Sequence, residues 1–455
     1  MLSDAKEQLL RMDRPVPRYT SYPTAPHFKA GFTTEEYRHW LGGIDGGQKI
    51  SLYIHIPFCP SLCWFCGCHT KITQRYAPVK DYIDLLIKEI AMVGALLPKG
   101  VEVGHIHFGG GSPTITKSND FLRLMGALQA NFRVSPQAEQ AIEVDPRQLN
   151  EGKIATYAKA GINRASIGVQ DFDERVMEAV NRPQPFFSSY EAIHTLRDYG
   201  IRNINTDIMY GLPHQTIETM HQMIVRILLL DPDRVSLFGY AHVPWMKKHM
   251  RLISTNSLPD MSTRFDLFTY ASAMLVENGY IPIGIDHFAK KGDPLALAAQ
   301  EGRLHRNFQG YTDDPCPIMI GFGSSAISHL PQGFVQNTPH TSGYRDRILA
   351  DDLPVEKSCS LHQEDKLRAT VIEKLMCDFH ADIEGLCKDY GYETDQLDES
   401  LHRLTPLVEA GLVEVAPGRE VTVLARQAAR LASAAFDAYL NPPGSSSLPR
   451  HVTAI

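Results

Sequence analysis

The chain has 455 residues and a formal net charge of −7, and its length allows two or three domains, each with its own core. The charge gives no reason to expect nucleic acid or an anionic membrane as a partner, and no apolar run approaches the roughly 18 residues of a membrane span. Eight cysteines without a recognisable signal peptide predict a reducing, cytoplasmic compartment, and we expect a monomer.

The first segment, residues 1–48, lacks the periodicity of regular helices and strands and predicts an N-terminal arm folded onto the rest of the protein. The run from Pro15 to Pro26 includes Arg18, Tyr19 and Tyr22 and is too aromatic for a disordered tail. The alternative is an ordered strap that packs on the surface without a role in the active site.

The run Ser51–Ile56 predicts the first strand, and it leads directly into four cysteines: Cys59, Cys63, Cys66 and Cys68. The first three have the spacing C-x3-C-x2-C. Iron–sulfur clusters are normally held by four thiolates, so three would leave one iron free of protein. An open coordination site on a metal centre usually means chemistry.

Structural zinc and disulfide bonds are the alternatives for these cysteines. A zinc site of four cysteines normally consists of two pairs separated by a longer loop, whereas all four here crowd one turn. The other cysteines are scattered and supply no second pair: Cys316, Cys359, Cys377 and Cys387. The spacing therefore favours an iron–sulfur centre.

Five further β-branched runs alternate with helical patterns, as in parallel βαβ units. These predicted strands are Gly104–Phe108, Ala141–Val144, Arg164–Val169, Asn205–Tyr210 and Val235–Tyr240. The first predicted helix runs from Asp81 to Leu97. Six strands with intervening helices predict an α/β fold, a partial TIM-like (β/α)6 barrel over residues 49–345. Such barrels carry their catalytic groups at the C-terminal ends of the strands.

The C-terminal segment, residues 346–455, predicts a mainly helical domain. Helical patterns cover Glu364–Asp378, Ala381–Tyr390 and Leu397–Ala410, and Leu412–Leu424 predicts a hairpin. This order is typical of a winged helix. DNA recognition would need basic residues on the third helix, which is mainly acidic, so we expect a domain that covers the active site.

Short motifs at the predicted strand ends give the chain a specific resemblance. They are Tyr53-Ile-His55-Ile-Pro57-Phe-Cys59, Gly109-Gly-Gly-Ser-Pro113, Glu143-Val-Asp145-Pro-Arg147, Asp207-Ile-Met-Tyr210 and His305-Arg-Asn-Phe-Gln-Gly310-Tyr311. With Arg18-Tyr-Thr-Ser-Tyr22, they resemble the oxygen-independent coproporphyrinogen III oxidases, a family of radical S-adenosylmethionine enzymes. The resemblance spans nearly the whole chain. It includes Cys68, which the related haem chaperones lack.

The resemblance implies that Cys59, Cys63 and Cys66 hold a [4Fe–4S] cluster, whose fourth iron binds S-adenosylmethionine. One electron from the reduced cluster would cleave the C–S bond of this cofactor, giving methionine and a 5′-deoxyadenosyl radical. Cys68 would either close the site as a fourth ligand or take part in turnover as a neighbouring thiol. The resemblance favours the second role.

The resemblance also implies two S-adenosylmethionine molecules in one site. The residues assigned to the cluster-bound molecule are Tyr53, Gly110, Glu143 and Ile327. Those assigned to the second molecule are Phe65, Gly111, Ser112, Gln170, Arg182, Asp207 and Ala241. Considered alone, Glu143 would be explained as well by an ion pair with Arg147 or Arg164. Arg182 and Asp207 would likewise be explained as members of structural ion pairs.

The implied substrate is coproporphyrinogen III. Two of its propionates would lose carbon dioxide and become vinyl groups, giving protoporphyrinogen IX in haem biosynthesis. Buried carboxylates need cations, and arginine pairs with them in a bidentate manner; the candidates are Arg18, Arg306 and Lys290. Tyr22 and His305 are candidates for proton or electron movement, and Arg18 and Cys68 complete the predicted catalytic set.

The reaction also requires an electron donor and an electron acceptor, whose identities stay open. Two other classes of function remain. A haem chaperone would be a carrier without catalytic activity, and it predicts no cysteine at position 68. A radical enzyme acting on another substrate, such as a relative of the methyltransferases, would share the cluster but not the substrate.

Overall fold

The computed structural model describes residues 2–440, with side chains from residue 5 onward; Met1 and residues 441–455, the end of the predicted C-terminal domain, lie outside the described residues. The first 48 residues contain helix α1 (Leu2–Met12), strand β1 (Lys29–Ala30) and helix α2 (Thr34–Gly42). The prediction of an arm without regular elements was therefore wrong. Thr33 and Glu36 form a capping box at the start of α2, a local signal that the weak apolar periodicity concealed.

The centre of the chain alternates strands and helices as predicted. The strands are β2 (Lys49–Ile56), β3 (Phe58–Cys59), β4 (Lys71–Ile72), β5 (Glu102–Gly110), β6 (Arg133–Val144), β7 (Arg164–Gln170), β8 (Asn203–Tyr210) and β9 (Arg234–Gly239). The helices are α3 (Ala77–Gly94), α4 (Ser118–Asn131), α5 (Glu151–Ala160), α6 (Glu174–Ala179), α7 (Phe186–Asp198), α8 (Ile217–Leu230) and α9 (Met261–Glu277). Each of the six predicted strands is confirmed; five have small changes of boundary, and the strand predicted from Ala141 begins eight residues earlier, at Arg133.

The six strands β2, β5, β6, β7, β8 and β9 lie side by side in this order, and all neighbours are parallel. Their apolar side chains form the largest core with the surrounding helices. Parallel neighbours place all six C-terminal ends at one edge of the sheet. Polar side chains that follow the strands therefore converge there.

The remainder of the catalytic region extends this sheet. Its elements are β10 (Tyr280–Ile283), β11 (His287–Lys290), α10 (Pro294–Gln300), β12 (His305–Asn307), β13 (Gly310–Thr312), β14 (Ile318–Phe322), β15 (Ile327–Leu330), β16 (Gly333–Asn337), α11 (Thr341–Leu349) and β17 (Val355–Ser360). Strand β14 pairs in parallel with β2 and is a seventh parallel strand that the sequence did not predict. Its five apolar residues have no pattern that distinguishes a strand from a buried turn.

Thirteen strands form the main sheet, in the order β1-β17-β16-β15-β14-β2-β5-β6-β7-β8-β9-β11-β10. Strand β17 pairs with β16 and with β1 of the arm. The predicted boundary at residues 345/346 therefore falls in helix α11, before the last strand of the main sheet. Strands β1 and β17 are distant in sequence, and the residues of neither strand indicate that the two pair with each other.

The C-terminal region is a small domain with its own core. Its elements are α12 (Gln363–Cys377), β18 (His380–Asp382), α13 (Ile383–Asp389), α14 (Asp398–His402), α15 (Thr405–Glu409), β19 (Val413–Val415), β20 (Glu420–Val423) and α16 (Ala429–Ala435). The predicted hairpin is confirmed, because β19 and β20 pair in antiparallel fashion. The single helix predicted over Leu397–Ala410 was wrong. Two short helices replace it, since Pro406 starts a new helix.

The arm packs between this domain and the barrel. Leu9, Val16, Tyr19 and Tyr22 belong to the core of the C-terminal domain.

The helix predicted from Ala381 instead begins at Ile383, after strand β18 and with Asp382 as its cap. Within residues 2–440, no helix is both long and apolar enough to cross a membrane.

Candidate active site

The loop with the four cysteines follows β2 at the C-terminal edge of the parallel strands. Cys63 is buried, Cys59 and Cys66 are partly buried, Cys68 is exposed, and all are free thiols. Strand β3, which contains Cys59, pairs with β4 and closes the loop. The Asn181 side chain also donates to the Leu62 carbonyl at 2.8 Å. The loop is thus held at both ends by the barrel.

Two arginines approach the buried cysteine. Arg182 Nη1 lies 3.5 Å from Cys63 Sγ, and Arg147 Nη2 lies 3.9 Å from the same atom. A hydrogen bond from Cys68 lowers the pKa of Cys66 to about 6, with help from Lys247 and Arg182. Cations and hydrogen-bond donors favour thiolates, the form in which cysteine binds metal. The surroundings therefore fit a site that receives several negative ligands.

The three cysteines with the spacing C-x3-C-x2-C fit a cluster, in which each thiolate binds a different iron and the sulfur atoms need not point at one centre. A structural zinc site would need four ligands around one point. Among the described residues, no three His, Cys, Asp or Glu side chains are grouped so that they could hold one metal ion.

The glycine-rich turn after β5 packs closely against the cysteine loop. Gly110 has φ +116°, and a Cβ atom there would lie 2.6 Å from the His55 ring. A Cβ atom on Gly111 would lie 2.8 Å from the backbone of Pro57 and Phe58. Ser112 is buried and bonds the Thr114 hydroxyl at 2.8 Å. Glycine is required for the positive φ and the contact with the His55 ring at Gly110, and for the close approach of two backbones at Gly111.

Glu143 connects the ends of β5 and β6. Its Oε2 accepts a hydrogen bond from the Gly110 amide at 3.1 Å, and its Oε1 lies 3.3 Å from His107 Nε2. Arg147 and Arg164 bind other acids, Asp145 and Glu139, each at 2.7 Å. The alternative in which Glu143 pairs with either arginine is therefore wrong. Its side chain is 39% exposed and free to accept further hydrogen bonds.

Tyr53 stands beside this glutamate. Its hydroxyl bonds His55 Nδ1 at 3.1 Å, and its ring stacks on that of His107 with centroids 5.9 Å apart. Ile327, the first residue of β15, lies against Gly321, where a Cβ atom would be 2.6 Å from the Ile327 carbonyl oxygen. Of the predicted cofactor residues, Tyr53, Gly110 and Glu143 thus form one contiguous group.

Two residues predicted for a second cofactor molecule, Gln170 and Arg182, lie at and after the end of β7. Arg182 Nη2 donates to the Gly168 carbonyl at 2.8 Å, and its Nη1 lies 3.6 Å from Asp145. Its Nε is buried without a hydrogen-bond partner among the described residues. Gln170 has φ +71° where the β7–β8 pairing shifts register, and this bulge turns the chain at the edge of the sheet. Arg182 is therefore only partly satisfied as a structural ion pair.

Asp207 accepts hydrogen bonds from the Ser166 hydroxyl and the Asn205 amide, each at 2.8 Å. Burial raises the pKa of this carboxyl group. Neither donor is charged, so the ion-pair alternative for Asp207 is not supported among the described residues. Phe65 packs beside the cluster of buried residues that includes Tyr240. Ala241 lines the cavity described next.

A cavity of about 440 Å³ opens beside the ends of β8 and β9. Four arginines line it, and we call it the arginine cavity: Arg18, Arg264, Arg306 and Arg430. Arg18 donates to the Gly239 carbonyl at 3.3 Å, and Arg264 donates to the Tyr240 carbonyl at 2.9 Å. Four cations around one cavity fit an anionic ligand.

Asp286 partly balances these cations. Arg306 Nη1 lies 3.8 Å from Asp286, and His287 Nδ1 lies 2.7 Å from it. Although burial alone would raise its pKa, Arg306, His287 and Arg18 hold the pKa of Asp286 at about 2. The Arg306 side chain is only 5% exposed, and its Nη1 has no hydrogen-bond partner among the described residues. An acceptor is thus missing at this atom.

Three residues predicted from the sequence lie elsewhere. Tyr22 and His305 line a second cavity of about 480 Å³ between the arm, the β12–β13 hairpin and α12. There Tyr22 accepts a hydrogen bond from the Ala438 amide at 3.0 Å, and His305 Nδ1 lies 3.1 Å from Glu373. Lys290 binds Asp231 at 2.7 Å, and the preceding residue, Ala289, pairs with Arg234, the first residue of β9. This is the opposite end of the barrel, so the prediction that Lys290 binds substrate was wrong.

Sequence reasoning missed several residues of the site. His55 and His107 hold Tyr53 and Glu143, and alternation with Tyr53 along β2 was a signal for His55. Arg264 and Arg430 come from helices α9 and α16. A single arginine on a helix carries no local sign that it faces a cavity.

Comparisons with known proteins agree with this geometry. Residues 53–227 match the Radical SAM superfamily. The chain is 45% identical over 428 residues to the oxygen-independent coproporphyrinogen III oxidase of Bradyrhizobium diazoefficiens, covering 94% of this chain and 95% of that protein. The protein of the same name from Paracoccus denitrificans is 42% identical over 437 residues, covering 95% and 96%. The solved structure of coproporphyrinogen III oxidase from Escherichia coli, a radical SAM enzyme, matches with a TM-score of 0.89 at 35% identity, covering 94% of this chain and 100% of that chain.

Proposed function

Because the chain belongs to the family of oxygen-independent coproporphyrinogen III oxidases, we propose that it converts two propionates of coproporphyrinogen III to vinyl groups, giving protoporphyrinogen IX. One observation carries this assignment beyond the family. The cysteine loop and the arginine cavity open at the same edge of the parallel sheet. A radical formed beside the cysteine loop would thus lie on the same side of the sheet as a carboxylate ligand in the arginine cavity.

The cofactors are a [4Fe–4S] cluster and S-adenosylmethionine, and when bound they supply a 5′-deoxyadenosyl radical for hydrogen abstraction. We assign Cys59, Cys63 and Cys66 as the ligands. Arg147 and Arg182 offset the negative charge of the thiolates from one side. The glycine-rich turn leaves its backbone accessible, and Glu143 offers carboxylate oxygens that a ribose diol can reach.

A second S-adenosylmethionine is part of the proposal. The buried Nε of Arg182 has no hydrogen-bond partner among the described residues, and the side chains that donate to Asp207 carry no charge. Both residues can therefore still bind a ligand. We also assign Gln170, Ser112 and Phe65 to this second molecule. Cys68 is exposed and serves as a neighbouring thiol rather than a fourth ligand.

Substrate binding follows from the arginine cavity. Arg306 is buried, and its Nη1 lies 3.8 Å from Asp286 without a hydrogen-bond partner among the described residues, so a propionate oxygen can supply an acceptor there. Arg18 belongs to the arm, and its guanidinium shares the wall with Arg306. The reaction takes one hydrogen atom from the β-carbon of a propionate. Carbon dioxide and one electron then leave, and that electron needs an acceptor.

Three regions serve this reaction in our proposal. The arm, residues 1–48, covers the active site, because Pro15 and Arg18 line the arginine cavity. The catalytic domain extends from residue 49 to about residue 360, where β17 completes the main sheet. The C-terminal domain closes the cavity from its other side through Gln427 and Arg430.

The test is an anaerobic assay. The protein is reconstituted with iron and sulfide, reduced, and given S-adenosylmethionine with coproporphyrinogen III. Methionine, 5′-deoxyadenosine and protoporphyrinogen, detected by chromatography, are the expected products. Cofactor cleavage without a vinyl product would retain the radical site and reject the substrate. Tight haem binding without turnover would instead support the carrier function of the related chaperones.

A further inference from the structure

Two exposed segments frame the cysteine loop, and the proposed reaction does not use them. We call them the cluster rim. It consists of Lys71, Ile72, Arg75, Met246, Lys248, Arg251 and Leu252. Met246 and Leu252 are 58% and 59% exposed, and Ile72 is 42% exposed. Exposed apolar side chains interspersed with cations are the composition of a surface that binds a partner.

The two segments that carry the cluster rim contact the cysteine loop directly. On one side, Ile72 pairs with Cys59 in the β3–β4 ladder, and the Thr73 amide donates to the Cys59 carbonyl at 2.9 Å. On the other side, Lys247 Nζ donates to the Cys68 carbonyl at 3.0 Å, and His249 Nε2 donates to the Cys66 carbonyl at 2.8 Å. The rim therefore borders the cysteine loop on two sides.

The charge of the rim is opposite to that of the whole chain. The net formal charge is −7, yet residues 46–80 and residues 234–259 contain no Asp or Glu. Each of these two segments carries four Lys or Arg residues. The cations of the rim thus have no acidic neighbour in their own segments. A cationic patch attracts acidic surfaces and repels the same cationic patch on a second copy of this chain.

The C-terminal residues of this chain do not have the negative charge expected of a segment that binds the cluster rim. Residues 441–455 contain no acidic side chain and include Arg450. An acidic partner is needed, and the reaction itself requires one: each turnover starts with an electron delivered to the cluster. The electron must cross the protein surface next to the cysteine loop.

We propose that the cluster rim is the docking surface of an acidic one-electron carrier protein. This inference rests on the proposed function, since only a radical enzyme needs this electron. The carrier loses one electron and the cluster gains one, and no atom or proton is transferred between them. Met246, Leu252 and Ile72 would form the apolar centre of the contact, with Lys71, Arg75, Lys248 and Arg251 around it.

The test uses reduced flavodoxin, an acidic flavoprotein, as the probe. The rate of cluster reduction is followed by stopped-flow absorbance in the wild type and in a Lys248→Glu/Arg251→Glu variant. The matched control is Lys159→Glu/Arg202→Glu, which changes the charge equally at exposed positions next to the N-terminal ends of β7 and β8. We expect the rim variant to be reduced about tenfold more slowly at low ionic strength, and the control to change less than about twofold.

Measurements at high salt and with a small reductant distinguish weaker docking from a damaged cluster or fold. High salt should bring wild-type and rim-variant rates together, because it screens the attraction. Reduction by dithionite should be equal in all three proteins. Binding of oxidised flavodoxin to the cluster-free protein, measured by calorimetry, should weaken only in the rim variant. Equal flavodoxin rates and equal binding in all three proteins would overturn the proposal.

The two proposals fail in different ways. Turnover of coproporphyrinogen III with a chemical reductant depends on the proposed function alone. If the wild type turns over in this way while the rim variant accepts electrons from flavodoxin at the wild-type rate, only the docking surface is rejected. If no turnover occurs with the chemical reductant, the function is rejected, and the calorimetric comparison still decides whether flavodoxin binds the rim.

Discussion

Arg182 lies 3.5 Å from the sulfur of Cys63 through Nη1 and donates to the Gly168 carbonyl through Nη2 at 2.8 Å. One buried side chain thus ties the cysteine loop to the bulge at the end of β7. It also lies 3.6 Å from Asp145. The loop that carries the predicted cluster is therefore coupled, through one guanidinium, to the strand end where we place the second cofactor.

Arg182→Met should weaken the cluster. The change leaves Asp145 with one cation fewer and removes the donor beside Cys63, and breaking such a buried pair costs about 3–5 kcal/mol. We expect a lower iron content after reconstitution and faster loss of iron to a chelator, both measured by absorbance. Arg175→Met, at an exposed position on helix α6, is the control and should retain its iron. Equal iron retention in both variants would contradict the role of Arg182.

Gly110→Ala should weaken binding of S-adenosylmethionine. Its φ of +116° is strained for alanine, and the new methyl group would meet the His55 ring at 2.6 Å. The turn must shift away from the cysteine loop, and affinity should fall at least about tenfold in equilibrium dialysis with the reconstituted protein. The control is Gly126→Ala on helix α4, where a Cβ atom meets nothing within 4 Å. That change should leave affinity intact and stabilise the helix by about 1 kcal/mol.

Arg306→Met should raise the KM for coproporphyrinogen III about tenfold or more, since a carboxylate loses its buried partner. Cleavage of S-adenosylmethionine without substrate should be unchanged, because Arg306 lies in the arginine cavity and not against the cysteine loop. Arg303→Met serves as control, since Arg303 is 57% exposed and paired with Glu301. A fall in kcat with an unchanged KM would contradict substrate binding by Arg306.

Cys68→Ser should retain the cluster, whereas serine at Cys59, Cys63 or Cys66 should lose it. Cys68 is exposed while the predicted ligands are buried or partly buried. Iron and sulfide analysis, together with electron paramagnetic resonance of the reduced protein, measures this difference. Cys359→Ser in β17 controls for the loss of a thiol elsewhere. Loss of the cluster signal in Cys68→Ser would make Cys68 a fourth ligand and contradict the proposed open site.

Glu89→Gln should change how stability depends on pH. Burial raises the pKa of Glu89 to about 7, although Tyr344, Gly323 and Asn337 donate hydrogen bonds to it. The folded state holds this proton more tightly than the unfolded state. Its contribution to stability is complete below about pH 4.5 and is lost as the pH rises to about 7.

Urea unfolding of wild type and Glu89→Gln between pH 4.5 and 7.5 measures this effect. The wild type should lose up to about 3 kcal/mol relative to the variant across this range. Glu36→Gln is a control on helix α2, because Glu36 is exposed and its pKa is lowered by hydrogen bonds from Thr33. A constant difference between wild type and Glu89→Gln at every pH would contradict a buried, protonated carboxyl group.

The position of the cofactor residues was predictable from the sequence, but that of the substrate residues was less so. Cys59, Gly110 and Glu143 each lie at or just beyond the C-terminal end of a parallel strand, so the βαβ pattern alone placed them at one edge. Tyr22 and His305 followed recognisable motifs yet lie in the second cavity. Lys290 had the right charge and lies at the wrong end of the barrel.

The sequence by itself determined the cysteine spacing, the six parallel strands and the family, because each rests on patterns within a few tens of residues. Only the tertiary structure decided that Glu143 binds Gly110 rather than Arg147, and that Arg264 and Arg430 join Arg18 and Arg306 around one cavity. It also joined β17 to the main sheet. These contacts connect residues far apart in the chain. They depend on how helices and strands pack, which no local pattern of side chains encodes.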